Sequence, residues 1–408
     1  MPVVLLAIGL LVFGAHLFKA VFKRTRVPDV LPFVLIGLLV GPGLGWVTPD
    51  HFGSVGGVFA SIVLVVILFE GGLNLKIRDL SDSLGESARL TVLSFAASLL
   101  LSVWLGRTFL GLSWIEGLML GSILGGTSSA VVIPMVKSLP LAEKTRTALF
   151  LESSLSDVLC IVVTLALAAT ATQAELEPGK MLGRIAATFL LAVAVGAAGG
   201  LAWSAILGRV HDLDNSTSTT PAFMLVVYGT AELLGYSGAI AALAFGVTLG
   251  NISDLPESLR RRFASFRPAT VSGLEKRIYA EIVFLAKAFF FVYIGLQMKS
   301  SEPWLWAVAL GATVLIYAAR IPVVRLSFDA KTTRDDAAVA AALAPKGLAA
   351  AVLATVPLHA GFPHGGEIES VVHAVVLCSI VLTSALVFLL RSGGVRAAYG
   401  ACFRGLAD

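Results

Sequence analysis

Glu152 and Asp157 stand five residues apart in the run LFLESSLSDVLCIVV, Leu149 to Val163, with Ser153, Ser154 and Ser156 between them and apolar residues on both sides. An ionisable group inside a hydrocarbon span costs about 2.5 to 3.5 kcal/mol on insertion scales and by default marks an ion or proton pathway. Asp157 follows Arg146 by eleven residues, deep in its span, and Ser153 lies one helical turn earlier on the same face, where its hydroxyl could supply a second oxygen. Such donors, joined by backbone carbonyls, suit a hard monovalent cation and not a soft metal. A carboxylate in a low-dielectric surrounding can also hold a proton near neutral pH, although aspartate in water titrates at about 3.9. One side chain that binds either a cation or a proton, but not both, is enough to couple opposite fluxes. The alternative is a carboxylate permanently paired with a structural cation.

Glu152 has a different direction. Five residues make roughly 500° of helical rotation, so it points about 140° away from Asp157. A buried glutamate needs a partner, and Arg320 is the deepest permanently charged candidate, which favours a structural Glu152–Arg320 bridge. Lys346 sits between Pro345 and Gly347, where carbonyls released by a helix break can hold its charge. It reads as electrostatic ballast, with proton carriage as the alternative. Lys287, ahead of FFFVYIGL, could carry a proton or pair with Glu281 or Asp157. Glu70 in LFEGGLNL is a cation funnel or a solvated helix end, and Glu232 has a structural reading. The six histidines and three cysteines form neither a proton relay, a disulfide framework nor a metal-ligand spacing.

These groups need a hydrophobic scaffold, and the composition supplies one: 57% hydrophobic residues, 14% charged and 40 glycines, with a mean hydropathy of +0.89. Such a chain has lipid as its main solvent. The apolar segments predict about thirteen transmembrane helices near residues 2–18, 30–47, 55–73, 88–106, 113–136, 145–172, 185–208, 220–235, 238–250, 279–298, 303–324, 337–358 and 369–390. Of the 30 Lys and Arg, 23 fall on the side of the first loop, 4 on the other side and 3 inside spans. The positive-inside rule then puts the amino terminus outside and the carboxyl terminus in the cytoplasm. This distribution, and not a nucleic-acid partner, accounts for the net charge of +4. Arg260-Arg261-Arg262 reads as loop retention on the cytoplasmic side, with an acidic lipid or nucleotide as the alternative.

Two spans carry helix breakers at mid-length: the fifth in GSILGGTSSAVVIP, with Thr127, Ser128 and Ser129 after a glycine pair, and the twelfth in AALAPKGLAAAV. They are seven spans apart. Six-span units, repeat one over about 1–172 and repeat two over about 220–390, joined by a linking helix at about 185–208, therefore enter the membrane from opposite faces. The predicted fold class is an all-α polytopic membrane protein with two inverted six-helix repeats and two broken crossing helices. Paired breaks of this kind point to a midplane ion site in a secondary transporter.

In order along the chain, RTRVPDVLPFVLIGLLVGPG, LFEGGLNL, GGTSSAVV, LESSLSDV, AELLGYSGAIAALAFGVTLGN, FFFVYIGL and APKGLAAAVLA resemble the monovalent cation:proton antiporter superfamily, of the sodium/proton exchanger domain type. The resemblance covers nearly the whole chain. It implies the antiporter fold, a core domain holding the two crossing helices, a separate dimerisation domain and hence a homodimer, and elevator-like alternating access. Carried over residue by residue, it implies Asp157 as the ion-binding carboxylate, Ser153 and the Thr127 backbone as further ligands, Glu70 as a contributor, Glu152 with Arg320 as a buried structural pair, and Lys346 as a basic residue of the second crossing.

The chain departs from the family pattern at two places. Ser156 stands where sodium exchangers carry Asn or a second Asp, and Thr127-Ser128-Ser129 replaces Thr-Asp-Pro, which makes Ser156 and Ser128 the selectivity positions. One obvious proton-binding carboxylate favours one-for-one exchange, and the serine-rich crossing is more like potassium efflux members. Members often append cytoplasmic regulatory domains; here a single transmembrane domain, 1–408, is expected with no soluble domain evident. The expected function is a non-enzymatic antiporter of a cytoplasmic (inner) membrane exchanging Na+ or K+ for H+, in contact with lipid and without a cofactor. Rival readings are a sodium-coupled organic-anion symporter and a potassium efflux gate. An intramembrane aspartyl protease lacks a second motif with a paired aspartate.

Overall fold

In hydrocarbon every backbone N–H and C=O must be satisfied within the chain, so long apolar segments fold as helices. The computed structural model of the chain describes residues 2–25, 30–47, 53–75, 77, 84–171, 178–210, 216–254, 270–298, 302–404 and 406–407. In order, the helices are α1 (Pro2–Thr25), α2 (Val30–Leu38, continued by a π-type turn over Leu39–Gly43), α3 (Gly53–Asn74), α4 (Leu84–Phe109), α5 (Trp114–Leu124), α6 (Ser129–Ser138), α7 (Glu143–Ala171) and α8 (Pro178–Val210). There follow α9 (Thr219–Leu233), α10 (Gly238–Gly250), α11 (Gly273–Gln297), α12 (Pro303–Ser327), α13 (Arg334–Ala342), α14 (Leu348–Leu353), α15 (Val356–His359), α16 (Gly365–Arg391) and α17 (Arg396–Cys402). Among the described residues the only β pairing is two isolated bridges.

The thirteen expected spans fall on these helices in turn, the fifth divided between α5 and α6 and the twelfth among α13, α14 and α15. Among the described residues, seven of the spans are long and apolar enough, by length and composition, to cross a membrane. The run Arg260-Arg261-Arg262 lies outside the described residues.

The chain forms two compact units. The first comprises Met1–Gly56, Ser83–Gln173 and Lys287–Asp408 and contains both interrupted spans. Within it α4 packs on α5, α7 and α12, and α12 packs on α16. The second comprises Gly57–Asp82 and Ala174–Ala286. Its core is Phe69, Trp203, Leu207, Met224, Phe245 and Tyr279. There α3 and α10 approach so closely that a Cβ at Gly246 would come within 2.3 Å of the Phe69 carbonyl oxygen. Without a hydrophobic drive between helices in lipid, small residues that admit such contact supply the packing.

The interruptions have local causes. Ser113 and Glu116 start α5 with a reciprocal capping box. The helix stops at Gly125, and Ser128 is extended (φ −60°, ψ 109°) before α6 restarts at Ser129. In the twelfth span α13 is capped by the Thr333 hydroxyl, and the chain between α13 and α14 runs without helical structure through Pro345.

Two features had no counterpart in the sequence reading. Pro42, which has no N–H, lies in the π-type turn that ends α2. Beyond the last span, α17 and the residues after it fold back: the Arg325 guanidinium donates to the Cys402 and Arg404 carbonyls at 3.1 and 3.2 Å, and the Ala407 N–H donates to Ala330 and Thr332. Long-range backbone pairing of this kind leaves no local pattern to read.

Candidate ion-binding site

Three of the half-helix ends at the two breaks face a charge of the opposite sign to their dipole. The negative end of α5 meets Lys346, whose Nζ donates to the Gly126 carbonyl at 2.8 Å and weakly to Ser98 Oγ at 3.5 Å. Arg320, on α12, meets the negative end of α13: its Nε and Nη2 donate to the carbonyls of Ala340 and Leu343 at 3.3 and 3.5 Å. At the positive end of α6, Ser129 Oγ donates to Asp157 Oδ2 at 2.7 Å. The two interruptions also bond to each other, Ser128 N–H donating to the Pro345 carbonyl at 2.7 Å. Gly347 is required at this crossing, because a Cβ there would lie 1.9 Å from Ser128 Oγ.

Glu152 and Arg320 form a two-pronged ion pair, Nη2 to Oε2 at 2.6 Å and Nη1 to Oε1, and Nη1 also donates to Ser94 Oγ on α4. Side-chain exposure is 0% for Glu152 and 2% for Arg320, so both charges are out of solvent and each needs the other. Thr127 Oγ1 adds a long hydrogen bond to Glu152 at 3.4 Å. Asp157 is half-buried, and its bonded side-chain neighbour is a neutral hydroxyl.

The other residues singled out from the sequence separate into groups. Ser156, fully buried, accepts from the Thr127 N–H at 3.0 Å and donates to the Ser153 carbonyl, so it supports the break. The Ser153 hydroxyl donates to Phe150 O at 3.0 Å and not to Asp157. Buried Ser128 Oγ has no hydrogen-bond partner among the described residues. Lys287, half-buried on α11, and Lys346 are the cations whose charge reaches Asp157. Glu70 stands in the second unit, where its carboxylate accepts from Asn74 Nδ2 at 2.9 Å. The Glu232 carboxylate accepts from the Gly238 N–H at 2.7 Å, a structural contact at the start of α10.

Three contributors were missed. In the sequence Ser129 belongs to the break, with no local pattern that pairs it with Asp157. Ser94 and Ser98 lie on α4, whose buried hydroxyls Ser87, Thr91, Ser94, Ser98 and Ser102 recur every three or four residues. That spacing marks one polar face on an apolar helix and was visible in the sequence. Ser94, Ser98, Thr127, Arg320 and Lys346 line a small cavity with room for roughly one water.

Known proteins resemble this chain in sequence and fold. The family described as "Sodium/hydrogen exchanger, transmembrane" matches residues 10–392. The K(+)/H(+) antiporter NhaP of Alkalimonas amylolytica is 28% identical over 393 residues, 92% of this chain and 64% of that protein. The K(+)/H(+) antiporter NhaP2 of Shewanella sp. (strain MR-4) is 24% identical over 390 residues, with the same coverage. The chain thus spans about 64% of the length of these relatives. The solved sodium proton antiporter MjNhaP1 from Methanocaldococcus jannaschii superposes with a TM-score of 0.72 at 20% identity, over 96% of this chain and 98% of that one, which shows a common fold.

Proposed function

Because the chain belongs to the transmembrane sodium/hydrogen exchanger family, we propose that it is a secondary antiporter exchanging a monovalent cation for H+, with the two competing for Asp157. The observation that carries this reading is the contrast on α7: Glu152 is neutralised by a permanent cation, whereas Asp157, half-buried, has a neutral hydroxyl as its bonded neighbour and can change occupant. Further oxygen comes from the Thr127 backbone and Ser153. Lys346 and Lys287 offset charge in the crossing. With Glu152 committed to Arg320, a single exchangeable carboxylate supports one-for-one, electroneutral transport.

The cargo is Na+ or K+: relatives are named potassium/proton antiporters and the protein sharing the fold a sodium/proton antiporter. The protein works as a homodimer in the cytoplasmic membrane with its amino terminus outside, an orientation supported by the Lys and Arg distribution. Elevator-type alternating access carries the unit that holds both breaks. The test is transport in proteoliposomes with a pH dye and Na+, K+ and Li+ added separately. One or more of these ions collapses an imposed pH gradient, valinomycin leaves the rate unchanged in the electroneutral case, and Asp157→Asn stops exchange while the protein stays folded. Full activity in Asp157→Asn removes Asp157 from this role.

A further inference from the structure

Ser129 is the first residue of α6 after the extended Ser128. Its hydroxyl donates to Asp157 Oδ2 at 2.7 Å. Ser156, which the sequence marked for selectivity, is engaged with the Thr127 N–H and the Ser153 carbonyl. A hydroxyl has one proton and two lone pairs. With its proton given to Asp157, its lone pairs remain available to a cation held by the same carboxylate.

Resting on the exchange reading above, we infer that Ser129 is a specificity-determining residue of the site, an oxygen ligand for the cation that also sets where on the pH scale the cation displaces the proton. The physical reason is directional. Hydrogen bonds to the charged carboxylate favour that form, and the amino end of the ten-residue helix α6 favours it further. Both hold Asp157 ready for a cation and make the proton a weaker competitor. Among the described residues, the other titratable or charged groups that act on Asp157 are Lys287 on α11, Lys346 in the second break and Cys160 on α7 itself. Glu152 and Arg320 are bound to each other.

The experiment measures exchange in proteoliposomes against cation concentration and pH for the parent, Ser129→Ala, Ser129→Thr, Ser129→Pro and Asp157→Asn, each checked for folding by its melting temperature. Removing one hydrogen bond to a charged group makes the proton about tenfold more competitive, so in Ser129→Ala the acid limb of the profile moves up by about one pH unit. The apparent KM for the cation near pH 7 rises about tenfold with it. Ser129→Thr keeps the hydroxyl and stays close to the parent. Ser129→Pro fits the first helical position and the extended residue before it, yet lacks the hydroxyl, so it shifts in the same direction as Ser129→Ala. It also provides the comparison if the alanine variant does not fold. A parental KM and acid limb in Ser129→Ala overturn the inference, as do equal shifts in Ser129→Ala and Ser129→Thr, since the hydroxyl is then not what matters. Exchange by Asp157→Asn is a separate result, which removes the underlying site and not just the role of Ser129.

Discussion

Two faces of one helix, α7, handle a carboxylate in opposite ways. On one face Glu152 is sealed from solvent and clamped by the guanidinium of Arg320, which also reaches Ser94 on α4 and the carbonyls that end α13. On the other, Asp157 is half-buried and bonded to a hydroxyl. The two lie in nearly the same local sequence, among the same serines. Their difference comes from what distant segments bring: a charged side chain from α12 in one case, the amino end of α6 in the other. A charge with a permanent partner braces the fold; on the proposed function, a charge held by neutral donors is the one that exchanges its occupant.

The strongest way to break that comparison is to remove one partner of the sealed pair. Glu152→Gln leaves Arg320 buried without a counter-charge, and breaking a buried pair costs about 3 to 5 kcal/mol. The variant is expected to melt far below the parent, whereas Asp157→Asn melts at or near the parent temperature and is inactive. Replacing both partners with apolar residues, Glu152→Leu with Arg320→Met, recovers much of the loss, because the pair's net contribution is small against a well-packed apolar isostere. A parental melting temperature for Glu152→Gln would show that the two faces do not differ as described.

A smaller effect is expected where the two breaks touch. Gly347→Ala places a methyl group 1.9 Å from Ser128 Oγ and 2.3 Å from its Cβ. Overpacking of this kind costs about 1 to 3 kcal/mol. Ser128→Gly in the same chain removes both clashing atoms, so the double variant is more stable than Gly347→Ala alone by a positive coupling energy in a double-mutant cycle. Additive melting shifts would show that the breaks do not press on each other there.

The thirteen spans and both interruptions were legible because lipid imposes length, apolarity and internal hydrogen bonding on every segment, and because glycine and proline announce where a helix fails. Glu152 and Arg320 were legible as a pair since few buried charges exist to choose from and helical geometry turns Glu152 away from Asp157. The partner of Asp157 was not. A sequence suggests neighbours on the same helix, which pointed to Ser153, but the hydroxyl that arrives is Ser129, across the break. The support of Lys346 was half legible: a freed carbonyl was expected, and the one that holds it belongs to Gly126 of the other broken span. Contacts between two irregular segments follow no period, so only the folded chain reveals them.

The smallest expected effect concerns an ion-pair network that, unlike the Glu152–Arg320 pair, is largely exposed and joined by single contacts. Lys144 Nζ reaches Glu86 at 2.8 Å and Asp329 at 3.1 Å, and Arg89 reaches Asp329 at 3.3 Å, linking the starts of α4 and α7 to the end of α12. The Lys144 side chain is 62% exposed and that of Asp329 52%. Exposed pairs in high dielectric contribute about 0 to 1 kcal/mol, since water solvates the separated charges nearly as well. Lys144→Ala should therefore shift the melting temperature by a small fraction of the Glu152→Gln loss. The remaining shift should shrink further in molar salt, where the screening length falls to about 3 Å. Glu86→Ala is expected to cost more than Lys144→Ala, because the Glu86 side chain is 8% exposed and also accepts the Asp329 N–H at 3.1 Å, so its loss removes a backbone hydrogen bond as well as an ion pair. If Lys144→Ala destabilised as much as Glu152→Gln, burial would not be what separates a bracing charge from an exchangeable one, and the distinction between the two faces of α7 would need another cause.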